Sequence, residues 1–101
     1  MKSIQIAVND KIATRTNDVE YVCGNSDFVV DFTFDAEWNE FDTKTARFAY
    51  NGEHQDVIFE GAQCPVPIIY GVRYVRVGVY AGDLHTTTPA YVPARKSILC
   101  E

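Results

Sequence analysis

The sequence predicts an all-β domain built as an antiparallel two-sheet β-sandwich, and three observations predict it. Apolar and polar residues alternate with a period of two in run after run, which sends successive side chains to opposite faces of a strand. Turn-forming residues interrupt these runs roughly every ten residues, the spacing of strands in a sandwich. Helical spacing is confined to one short segment.

Taken in order, Ile4, Ile6 and Val8 alternate with Ser3, Gln5 and Ala7, and Asn9-Asp10 can turn residues 2–8 back into 11–15. Gly24-Asn25 separates a strand over 18–23 from one over 27–34, where Phe28, Val30, Phe32 and Phe34 alternate with Val29, Asp31 and Thr33. Asn51-Gly52 is the dipeptide favoured by type I′ hairpins, since both central residues need positive φ. Residues 43–50 and 53–60 therefore read as a hairpin. Cys64-Pro65-Val66-Pro67 reads as an irregular connection, because proline cannot donate to a central ladder. Val75, Val77 and Val79 then alternate with Tyr74, Arg76, Gly78 and Tyr80, and Ala81-Gly82-Asp83 precedes the last strands. About eight short strands result, an arrangement of immunoglobulin-like type, with a small barrel as the competing architecture.

One stretch departs from this pattern. In "FDAEWNEFDTKTARF" the residues Phe34, Trp38 and Phe41 stand four and three apart, so a single helical turn is expected near residues 35–41. Asp35 suits its N-cap and Glu37 the positive end of its dipole. On that reading Trp38 plugs the core while Asp35, Glu37, Glu40 and Asp42 point to water. Two functional readings compete with it. The four carboxylates suggest calcium, although the loop lacks the glycine and alternating acids of an EF-hand. An exposed Trp38 would instead give a sugar-stacking platform.

Composition narrows the function classes. With 101 residues, 47% apolar and 23% charged, the chain (1–101) is expected to form one globular domain able to bury roughly two thirds of its unfolded surface. The net charge of −5 and scattered basic residues speak against nucleic acid. The N-terminus alternates rather than forming an apolar signal core, and no run approaches a membrane span, so synthesis in the cytoplasm without membrane insertion is expected. Cys23, Cys64 and Cys100 lack C-x-x-C spacing and read as inert thiols rather than disulfides or a zinc site. His54 and His85 are the only histidines, and no nucleophile elbow, phosphate loop or metalloprotease motif is present, so no enzyme, cofactor or metal is expected.

What remains is a binding or assembly module. Tyr70, Tyr74, Tyr80 and Tyr91 are candidate interface residues, tyrosine being enriched in interface cores. The terminal strands 2–8 and 95–100 are candidate open edges. The alternative is a carbohydrate-binding adhesion module using exposed aromatics.

The phrases "CGNSDFVVDFTFDAEW" (23–38), "TKTARFAYNGEHQDVIFEGAQCPVPII" (43–69) and "VGVYAGDLHTTTPAYVPARKSILCE" (77–101) resemble a family of small structural proteins from prophages of Gram-positive gut bacteria, the Firmicutes. The resemblance covers most of the chain. It implies an N-terminal domain of a longer protein, followed by a Pro-rich linker, in the setting of phage tail and baseplate proteins. It further implies a virion role among other tail or baseplate proteins, in several copies given the threefold and sixfold symmetry of tails. It carries no catalytic residues.

Overall fold

A computed structural model describes residues 2–95, arranged as ten strands and one short 3-10 turn. In chain order these are β1 (Lys2–Asn9), β2 (Ile12–Arg15), β3 (Tyr21–Val22), β4 (Phe28–Phe34), the turn Ala36–Trp38, β5 (Thr43–Tyr50), β6 (Glu53–Glu60), β7 (Gln63–Pro65), β8 (Tyr74–Ala81), β9 (Leu84–His85) and β10 (Ala90–Arg95). One sheet runs β2-β1-β4-β7, and the other runs β3-β10-β8-β5-β6 with β9 added to β8. The sandwich expected from the alternation is present. The C-terminal residues of the expected edge strand 95–100, and Cys100, lie outside the described residues.

The inward rows are those the alternation marks. Ile4, Ile6 and Val8 of β1 and Phe28, Val30 and Phe32 of β4 share one core with Ala46 and Phe48 of β5, Val75, Val77 and Val79 of β8, and Val92 of β10. Phe32 and Phe59 stack between the two sheets with centroids 5.3 Å apart. The β5–β6 hairpin has the expected bounds, with Asn51 at φ 48° and Gly52 at φ 77° as a type I′ turn requires.

Four details differ from the sequence expectation. The sheets are mixed, because β1 pairs with β4 and β3 with β10 in parallel. Alternation tells which face a residue takes but not which strand lies beside it, so parallel neighbours leave no mark in a one-sided pattern. For the same reason β1, expected as an open edge, is an inner strand covered by β2 and β4. The first hairpin turns one residue later than expected, at Asp10 (φ 50°) and Lys11 (φ 65°). Finally, part of the Cys64–Pro67 connection is a strand: Pro65 lies in β7 opposite Val29, on a sheet edge where a missing N–H costs no ladder bond.

Candidate functional site

The Trp38 ring is packed inside its corner, although a hollow of about 660 Å³ lined by Phe34, Trp38, Phe41, Asp42 and Lys44 opens beside it. Trp38 is 1% exposed and its ring lies 5.2 Å from that of Phe34. A ring so enclosed offers no face for a sugar, so the platform reading of Trp38 fails and the core-plug reading holds. The turn exists as expected, with Trp38 N–H donating to the Asp35 carbonyl at 3.2 Å, but Asp35 makes no side-chain cap. Its Oδ2 accepts instead from the Asp10 backbone N–H at 2.8 Å, and Glu37 Oε1 accepts from Lys11 Nζ at 2.8 Å. Two of the four acids therefore do not point freely to water. They hold the β1–β2 turn, where Lys11 sits at a positive φ that a lysine adopts only at some cost.

The same corner contains a buried cation. Lys44 on β5 is 6% exposed, and its Nζ donates to the carbonyls of Phe41 (2.7 Å) and Gly61 (3.3 Å) while lying 4.9 Å from the centre of the Phe34 ring. Hydrogen bonds and the ring together offset the cost of removing the ammonium from water. Among the described residues no group of three or more His, Cys, Asp or Glu side chains is placed to hold a metal. The calcium reading also loses Asp35 and Glu37 to the contacts just given.

The open aromatic surface lies elsewhere, on the outer face of the six-stranded sheet. Register places its outward residues in rows: His54, Ala49, Arg76 and Tyr91 in one, Asp56, Arg47 and Gly78 in the next, Ile58, Thr45, Tyr80 and His85 in the third. Tyr74 (50% exposed) and Tyr91 (56%) form a tilted pair with centroids 5.4 Å apart. Ile58 is 72% exposed on the edge strand β6. Tyr80 is on this face but is committed internally: its hydroxyl donates to Asp56 Oδ2 at 3.0 Å and Arg47 lies 5.7 Å over its ring. Tyr70 is 58% exposed in the loop before β8, its ring against Gly24 rather than beside the other tyrosines. Of the four tyrosines named from sequence, the fold thus gathers Tyr74, Tyr80 and Tyr91 on one face and leaves Tyr70 apart.

A trough of about 480 Å³ crosses this face, with Ala49 and Gly78 beneath it and Arg47, Arg76, Tyr80, His85, Thr86 and Pro89 around it. It exists because the middle of β8 carries no side chain at Gly78. A Cβ there would come 3.0 Å from Thr86 Oγ1, which itself accepts the Val79 N–H at 3.2 Å. Thr86 N–H in turn donates to the Val79 carbonyl, so this residue occupies the place of a missing strand partner.

The two arginines differ. Arg47 forms a bidentate pair with Asp56, at 2.9 Å through Nε and 3.0 Å through Nη2. These hydrogen bonds hold the Asp56 carboxyl below its ordinary range and raise the Arg47 guanidinium further. Arg76 is half-buried, its Nε is shielded from solvent, and no described residue accepts a hydrogen bond from it. Sequence reasoning named neither arginine as a site residue. The available signal was Gly78 inside an otherwise β-branched strand, which marks a place where something approaches the backbone closely.

The described thiols are remote from this face. Cys23 and Cys64 are buried, and burial pushes the Cys64 thiol up to about 12. Comparison with known proteins finds no matching family model, no matching curated protein and no matching solved structure.

Proposed function

We propose that the protein is a non-enzymatic structural module of a phage or prophage virion, docking at the tail tip or baseplate through the outer face of its six-stranded sheet. The observation that carries the docking face is the Tyr74–Tyr91 pair, two half-exposed rings in contact on a regular sheet surface beside Arg76. Tyrosine and arginine are the side chains most enriched at protein interface centres, and a cluster of exposed rings gains by being covered. The virion setting rests on the resemblance of residues 23–38, 43–69 and 77–101 to prophage structural proteins. In this reading the chain is made in the cytoplasm, is carried in the particle, and meets other tail or baseplate proteins in several copies.

The test is a photo-reactive amino acid placed at Tyr91 and, separately, at Glu53, in protein expressed during prophage induction. Cross-links from position 91 to a tail or baseplate protein, with none from position 53, are expected. Purified particles lacking the protein would overturn the virion assignment. A glycan array with clear hits that vanish in a folded Tyr91→Ala variant would replace protein docking with sugar binding on the same face.

A further inference from the structure

Five described cations have partners: Lys11 with Glu37, Arg15 with the Val19 carbonyl, Lys44 with two carbonyls, Arg47 with Asp56, Arg95 loosely with Glu20. Arg76 breaks the pattern. Its guanidinium lines the trough with no hydrogen bond or ion pair to a described residue, and its Nε is already desolvated. A desolvated donor without an acceptor is a standing cost, and it leaves the rest of the guanidinium to find a partner from outside.

The trough lining is rich in donors and contains no carboxylate. Arg76 contributes its guanidinium N–H groups other than the shielded Nε. Thr86 Oγ1 accepts from Val79 and retains its own hydroxyl proton to donate. Asp56, opposite Arg47 on the same face, is already taken by Arg47 and the Tyr80 hydroxyl. The surface therefore lacks one acceptor with one negative charge.

We propose that this trough receives a single carboxylate side chain, an aspartate or glutamate of the docking partner, with Arg76 as its anchor. The proposal rests on the docking reading above and names the chemistry at its centre. A guanidinium fork matches a carboxylate in bidentate geometry, the arrangement Arg47 and Asp56 already make on the same face. Charge counting favours a lone carboxylate over a phosphate polymer. Only one arginine in the trough is unpaired, and the chain as a whole carries −5, which repels a polyanion. The residues flanking the carboxylate on the partner are apolar or aromatic, since they would lie against Tyr74 and Tyr91.

The test follows the arginine Nε–H and backbone amide resonances of the protein during titration with a capped valine–glutamate–valine tripeptide. The valine–glutamine–valine peptide and inorganic phosphate serve as separate arms. Selective shifts of Arg76, Gly78 and Thr86 with the glutamate peptide are expected, with roughly tenfold or weaker binding of the glutamine peptide and the same loss in Arg76→Gln. An unchanged melting temperature of Arg76→Gln ties that loss to the side chain and not to unfolding. Equal binding of both peptides, tighter binding of phosphate than of the glutamate peptide, or no shift at the trough would each overturn the proposal. Failure here together with cross-linking from position 91 removes only the carboxylate assignment. Binding here without any virion cross-link removes the docking assignment and leaves the site.

Discussion

The Trp38 corner and the Arg76 trough are both aromatic clusters with charges among them, and each borders an open hollow, of about 660 and 480 Å³, yet their charges are satisfied differently. In the corner each cation has found its partner inside the protein: Lys44 donates to Phe41 and Gly61 carbonyls, and Lys11 pairs with Glu37. In the trough Arg47 is paired and Arg76 is not. The corner is not free of orphans, since Trp38 Nε1 and Asp35 Oδ1 are buried without hydrogen-bond partners among the described residues. Arg76 Nε is shielded from solvent in the same way, and differs in belonging to a charged side chain with no other hydrogen bond to a described residue. The lesson is that a cluster of acids and aromatics in sequence does not announce a site. What separates a joint from a docking place is whether its charges are satisfied from within.

The largest effect that would test this contrast is at the corner. Trp38→Ala should cost about 3–5 kcal/mol, the range for a large buried ring, and against a total of roughly 5–15 kcal/mol this could unfold the domain. A loss under about 1 kcal/mol in urea titration would mean that the Trp38 ring is not packed. Lys44→Met keeps the aliphatic stem but strips two carbonyls of their donor, so a loss of about 1–3 kcal/mol is expected. If Lys44→Met were neutral, the ammonium would be contributing nothing beyond its own desolvation.

A third measurement uses pH. Burial raises the Cys64 thiol from 9.0 to about 12, so the native state keeps a proton that the unfolded chain releases. Its contribution is constant below about pH 9 and is lost as pH rises from there toward 12. The urea midpoint of the wild type should fall more steeply between pH 8 and pH 10.5 than that of Cys64→Ala. Parallel profiles would show that the thiol ionises freely. The smallest effect belongs to the open face: Tyr74→Ser and Tyr91→Ser should each change stability by under about 1 kcal/mol, because half-exposed rings give up little buried area. A larger loss would recast the pair as structural and weaken the docking reading.

Much of this was legible in the sequence, for reasons that differ by residue. Asn51-Gly52 marked its hairpin because few other residue pairs tolerate that turn. The inward rows of β4 and β8 were legible because each has one buried side, and period two reports sidedness directly. The Asp10-Lys11 turn was harder, since lysine is a poor choice for positive φ and is held there by Glu37 and Asp35 from a distant segment. Strand β7 was masked by Pro65 and by Pro67 just beyond it. The trough was not legible at all as a unit: Arg47, Arg76 and Thr86 come from β5, β8 and the segment after β9, and only the register brings them together.

The parallel pairing of β3 with β10 has a consequence for how the chain comes into being. Tyr21 and Val22 lie beside Ala94 and Arg95, so an element made early must wait for one made last. On the ribosome, residues 21–22 have no strand partner until the final described strand has emerged, and closure spans nearly the whole domain. Such distant contacts place folding in roughly the millisecond-to-second range of β-rich domains rather than the microseconds of helical bundles. During that interval the backbone edge of β8 stands unpaired on the side that β10 will take, which makes the nascent chain, more than the finished fold, the state that needs protection in the cell.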